Sequence, residues 1–106
     1  MASALIRVPE RARRGEVVEI RALIGHPMET GYRRTQHGER IARDIIRLFT
    51  CTYNGTEVFR AELHPAIAAN PFIAFSTVAT ESGTIALHWS GDNGFTATES
   101  AAIVVE

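Results

Sequence analysis

The sequence predicts an all-β fold, an antiparallel immunoglobulin-like β-sandwich of about seven strands. Three observations predict it. Short runs alternate apolar and polar residues with a period of two. Turn residues separate those runs at short intervals. No stretch combines a helical period with recognisable caps.

The elements follow in order. "ALIRV" is a first short strand, closed by Pro9. "EVVEIRALI" puts Val18, Ile20, Ala22 and Ile24 on one face and Glu19 and Arg21 on the other, the pattern of a half-buried strand. "DIIRLFTCTY" is rich in β-branched and aromatic residues, which fit a pleated surface. Asn54-Gly55 then signals a tight hairpin, because a type I′ turn needs two residues at positive φ. "EVFRAEL" returns from that turn. "HPAIAANP" is a crossing bounded by Pro65 and Pro71, with room for one helical turn. "FIAFSTVATE" and "TIALHW" form the next pair, and "FTATESAAIVV" ends the chain. Trp89 supplies a large aromatic for the core.

One domain over residues 1–106 accommodates all of this. No apolar run approaches the ~20 residues that span a bilayer. Net charge is −1, unevenly distributed. Residues 1–60 carry all 11 basic residues, every one an arginine, for a balance of +4, and residues 61–106 balance at −5. Nothing in that pattern indicates nucleic-acid binding. The start "MASALIRVPE" lacks the basic and apolar regions of a secretory signal, which taken alone favours the cytoplasm.

The irregular segment between the second and third strands, about residues 26–43, holds the unusual chemistry. It is long for a connection in a compact domain, and two strand extensions meeting at His37-Gly38 would account for it. His26, His37, His64, His88 and Cys51 together form a metal-ligand-like set. "GHPMETGY" resembles the His-Pro-Met tripeptide of the superoxide reductases, sandwiches that bind iron through four histidines and a cysteine. The spacing departs from that family, with Tyr32 where another histidine is needed and Cys51 inside a strand. An iron protein of that kind is the alternative reading. Glu29 and Asp44 become a carboxylate pair only if the segment folds back, and Glu29 has Arg33 and Arg34 beside it. No nucleophile elbow or phosphate loop appears. The plain expectations are that His88 faces outward, His64 sits at a turn, Cys51 is a core residue and Met28 plugs the end of the sandwich.

"RALIGHPMETGYRR", "RDIIRLFTCTYNGTEVFRAELHPAIAANPFIAF" and "ATESGTIALHWSGDNG" resemble the SoxZ family in order and spacing over nearly the whole chain. "HPMETG" (residues 26–31) and "LHPAIAANP" (residues 63–71) are its most specific segments. The resemblance implies an immunoglobulin- or fibronectin-like sandwich with no catalytic residues and no cofactor. It implies pairing with SoxY as the SoxYZ heterodimer of thiosulfate oxidation. SoxY would hold the covalent sulfur intermediate on a Gly-Gly-Cys-Gly-Gly tail, where this chain ends "AAIVVE". It implies transient docking to other Sox enzymes and a periplasmic location reached by export bound to SoxY. The sequence leaves open whether isolated chains self-associate.

Two surfaces follow as expectations. His26, Pro27, Met28, Glu29, Thr30 and Gly31, with Arg33 and Arg34, form a loop facing the partner or its tail. The strand "NPFIAFSTV" is apolar on both faces, with Phe72, Ala74 and Val78 on one and Ile73, Phe75 and Ala79 on the other. A strand apolar on both faces is covered on both, so Phe72, Ile73 and Phe75 are its candidate interface residues. Periodicity alone does not say which face is the core.

Overall fold

The computed structural model describes residues 3–106. Eight strands follow one another: β1 (Ala4–Arg7), β2 (Arg11–Ala12), β3 (Val17–Ile24), β4 (Ile46–Tyr53), β5 (Thr56–Glu62), β6 (Phe72–Val78), β7 (Gly83–Gly91) and β8 (Thr96–Val105). They form a three-stranded sheet, β1-β3-β6, packed on a five-stranded sheet, β2-β8-β7-β4-β5. The expected immunoglobulin-like sandwich is present. Its additional strand is the two-residue β2, which pairs in parallel with β8 while every other pair is antiparallel. Two residues are too few to show a period, and their pairing partner is most of the chain away. No described helix is long and apolar enough to cross a membrane.

Alternation builds the core. β3 buries every second residue, Val18, Ile20, Ala22 and Ile24, and exposes the rest. In the facing five-stranded sheet, Ile85, Leu87 and Trp89 of β7 lie beside Tyr53, Cys51 and Phe49 of the adjacent β4. Phe49 lies 5.2 Å from Trp89 and 5.9 Å from Phe75 between ring centroids. Phe59 of β5 stacks on Phe75 of β6 at 4.3 Å. Those two strands are the free edges of different sheets, so the stack closes one side of the sandwich. Each such ring contributes about 1.5–3 kcal/mol by leaving water.

The structure divides the residues of β6. Ile73 and Phe75 face inward, and Phe75 is only 8% exposed. Phe75 is therefore a core residue and not a surface contact. Of the three candidate interface residues, Phe72 is the one that faces solvent, at 60% exposure.

The Asn54-Gly55 hairpin is as expected, with φ of 48° and 83°. "HPAIAAN" forms no helix: its one turn closes by Ile67 N–H donating to the His64 carbonyl at 3.0 Å. "SGDNG" contains a short 3₁₀ turn, Asp92–Gly94.

Tyr53 locks the end of the sandwich remote from the long β3–β4 connection. Its hydroxyl accepts from the N–H groups of Thr80 and Glu81, both at 3.2 Å, and donates to the Glu81 carbonyl. Replacing Tyr53 with Phe leaves two backbone donors without their acceptor. Urea denaturation is expected to show a loss of about 1–3 kcal/mol with an unchanged m-value.

Candidate functional site

The β3–β4 connection is a two-stranded arm rising from one end of the sandwich. Glu29 and Asp44 exchange both backbone hydrogen bonds, at 2.8 and 2.9 Å. Further out, Ile41 N–H donates to Arg33 and Thr35 N–H donates to Glu39. The tip turns at Thr35–Gly38, where Gly38 N–H donates back to Thr35 at 2.9 Å. The expected strand extensions do meet at His37-Gly38.

The base of the arm is a buried clasp. His26 is 5% exposed, and its Nδ1 accepts from Met28 N–H at 2.9 Å. That assigns the ring proton to Nε2, which faces Asp44 Oδ1 at 3.6 Å, too far for a direct hydrogen bond. The ring edge packs on Phe95 at 4.8 Å. On the backbone, His26 N–H donates to Asn70 Oδ1 at 2.9 Å and Asn70 N–H donates to the His26 carbonyl at 2.8 Å. The two most distinctive segments, residues 26–31 and 63–71, thus hold each other.

Met28 is buried with φ of 50°, a conformation that costs a non-glycine residue about 1–2 kcal/mol. Its surroundings enforce it: the N–H is held by His26, and Sδ accepts from Ile46 N–H at 3.2 Å. Met28 is the expected plug at the sandwich end. Beyond it, Gly31 has φ of 92°, and a Cβ there would lie 3.1 Å from the Arg43 Cβ. Only glycine lets the two arm strands approach so closely at that φ.

Charged groups brace the base from outside. Arg33 donates to both oxygens of Glu29, and that hydrogen bonding holds the Glu29 carboxyl below its usual range. Glu29 and Asp44 are joined through their backbones, while their carboxylates turn to Arg33 and toward His26. Arg43 makes a bidentate pair with Asp92, at 2.9 Å for each bond, and Asp92 also accepts from Ile45 N–H at 3.1 Å. Arg43, first of these, keeps the Asp92 carboxyl below its ordinary value. Asn70, Arg43 and Asp92 carry no sequence signal of these roles, since their partners lie far along the chain.

Of the expected loop residues, His26 and Met28 point into the sandwich, whereas Pro27, Arg33 and Arg34 are exposed and Glu29, Thr30 and Gly31 are half-buried. The ligand-type residues are dispersed. His37 is at the arm tip, and His64 lines a cleft of about 510 Å³ with Arg43, Arg47 and Arg60. His88 faces outward and pairs with Thr98 at 2.8 Å. Cys51 is fully buried in the core. Among the described residues no three His, Cys, Asp or Glu side chains converge as a metal site would require.

Two consequences are measurable. Truncating Met28 to Ala removes a buried side chain and the acceptor for Ile46. A stability loss of about 2–5 kcal/mol is expected in urea denaturation. Burial pushes the Cys51 thiol from its ordinary 9.0 up to about 11. The folded chain therefore holds that proton more tightly than the unfolded chain, and stability falls as pH rises past 9.0 toward 11. Iodoacetamide labelling of native protein at neutral pH is expected to be slow and limited by unfolding.

Comparison with known proteins adds family and fold. The chain matches the family model described as "Sulphur oxidation protein SoxZ" over residues 6–102. No significant match occurs among curated proteins. Among solved structures, the superoxide reductase (neelaredoxin) of Ignicoccus hospitalis superposes with a TM-score of 0.71 at 15% identity, covering 98% of this chain and 80% of that one. The sulfur carrier protein SoxY of Chlorobium limicola f thiosulfatophilum gives 0.66 at 12% identity, covering 97% of this chain and 78% of that one. The CARDB domain of a Pyrococcus furiosus protein gives 0.53 at 14% identity, with 100% and 94% covered. At such identities these likenesses establish a shared fold alone. The family match spans all eight strands in whole or part, the arm and both segments of the clasp, and the chain belongs to the SoxZ family of sulphur oxidation proteins.

Proposed function

We propose that this chain is the non-catalytic subunit of a sulfur-carrier pair. It binds a SoxY-type subunit that holds the sulfur intermediate on its own cysteine, and it helps present that subunit to the sulfur-oxidising enzymes. The family match over residues 6–102 carries the reading. The site chemistry is consistent with it. Cys51 is buried with its thiol pushed up to about 11, so it offers no thiolate to sulfur chemistry at neutral pH. What the chain offers a partner is surface.

The outer face of the three-stranded sheet is the pairing surface on this reading. Register aligns Leu5 of β1 with Leu23 of β3, and Leu23 with Phe72 of β6. All three are exposed, at 68%, 38% and 60%. They form an apolar row across the whole sheet, at the end from which the arm rises. The next row is Arg7, Arg21 and Ala74. An apolar strip rimmed by arginines suits a protein interface, whose anchors are buried aromatic and aliphatic side chains. A solved SoxY shares this fold, so the pair would be two like sandwiches packed together. Location in the periplasm, by export with the partner, belongs to the same proposal.

The test is co-expression with a SoxY-type subunit, periplasmic fractionation and native mass spectrometry. A one-to-one complex, with sulfur adducts on the partner's cysteine and none on Cys51, is expected. Stoichiometric iron with a visible absorption band, and no complex, would replace this reading with an iron protein. Two substitutions separate surface from core. Phe72→Asp is expected to weaken pairing by more than about 2 kcal/mol while changing stability by no more than about 0.5 kcal/mol. Phe75→Ala is expected to cost about 3–5 kcal/mol of stability.

A further inference from the structure

The arm stands well clear of the sandwich. The Cα radius of gyration is 16.2 Å and the extents are 59 × 20 × 19 Å, against about 13 Å for the radius of a compact domain of this length. Every residue from Tyr32 to Arg40 is exposed, Tyr32 by 79%.

The two faces of the arm differ. Arg34 and Arg40 sit directly opposite each other across the ribbon. Strand alternation places Tyr32 and Ala42 beside them and puts Arg33, Glu39, Ile41 and Arg43 on the other face. Arg33 and Arg43 are matched, by Glu29 and Asp92. Arg34 donates to the Gly38 carbonyl at 2.9 Å, and neither Arg34 nor Arg40 has an ion-pair partner among the described residues. Like charges directly opposite on paired strands oppose the pairing. This face thus sets two arginines opposite each other across the ribbon, with Tyr32 on the same face and no described carboxylate paired to either.

We infer that the Tyr32–Arg34–Arg40 face of the arm docks an acidic patch on the SoxY-type partner subunit, each guanidinium taking a carboxylate. The inference rests on the pairing proposed above and names a second contact for it. Carboxylates remove the repulsion that the free arm carries, and a planar guanidinium binds them bidentately. Tyr and Arg are the residues that dominate protein interfaces. Clefts at the arm base and along the sandwich include no residue from Tyr32 to Arg40. A convex tip suits a protein surface, whereas small ligands need a concavity. The arm leaves the sandwich beside the Leu5–Leu23–Phe72 row, so one partner can engage both.

The experiment compares the full chain, an Arg34→Ser/Arg40→Ser variant and an Arg13→Ser/Arg14→Ser control at the opposite end. Binding to purified SoxY-type subunit is measured by surface plasmon resonance at about 50 and 300 mM salt, where screening differs strongly. The arm variant is expected to bind ~10-fold more weakly at low salt, chiefly through slower association, with a flatter salt dependence. The control is expected to stay within about twofold, and the arm variant's Tm is expected not to fall because opposed charges are removed. Wild-type binding by the arm variant, or equal loss in the control, overturns the arm contact and leaves the pairing standing. Failure of the unaltered chain to bind overturns both. Sodium sulfate alone is titrated in parallel while the Tyr32 and Arg34 amide resonances are followed. Saturation at submillimolar sulfate would reassign the arginine pair to a free oxyanion and overturn the inference.

Discussion

The architecture at the arm end of the sandwich depends on one buried imidazole. His26 uses its ring to fix Met28 and its backbone to fix Asn70, and its edge packs on Phe95. Met28 in turn holds the first residue of β4 through its sulfur. Four segments that are distant in sequence are therefore joined through a single residue and its neighbour Met28. A two-stranded ribbon is marginal in water without such support. The arm can stand away from the sandwich because its root is a packed, hydrogen-bonded joint.

The same joint explains why the sequence invites a metal reading. A histidine followed by proline and methionine at a strand end resembles a ligand motif. Here Nδ1 is occupied by a backbone N–H, and the sulfur by another. Residues that look reactive serve as acceptors for buried donors that would otherwise cost about 1–3 kcal/mol each. A buried histidine and a buried methionine are interior residues of the loop, and the exposed chemistry lies further out, on arginines.

Much of the fold is legible in the sequence because most strands have one wet and one dry face. β3 is the plainest case, and Asn54-Gly55 marks the β4–β5 turn through a local conformational need. β6 is different. Its pattern defines two apolar sets but does not rank them, and the rank comes from Phe49 and Phe59, which receive Phe75 from other strands. β2 leaves no trace in the pattern because its pairing is nonlocal. The clasp is illegible for the same reason, since His26 and Asn70 are 44 residues apart. The turn at His37-Gly38 is local and could be read, whereas the opposition of Arg34 and Arg40 requires the register that this turn sets.

The placement of charge and apolar surface bears on how a carrier subunit works. Strand order brings the start of β1, the end of β3 and the start of β6 together, so Leu5, Leu23 and Phe72 fall at the root of the arm. On the proposed pairing, apolar contact there would govern how long a partner stays, while exposed arginines on a projecting arm would govern how fast it arrives. Arginines are confined to residues 1–60, and within that half the unmatched opposed pair sits on the projecting arm. On the proposed pairing, a subunit whose own thiol is sealed in the core would contribute to sulfur transfer through such surfaces. Separating such an anchor from steering charges would let association speed change without altering the packed face of the proposed pair.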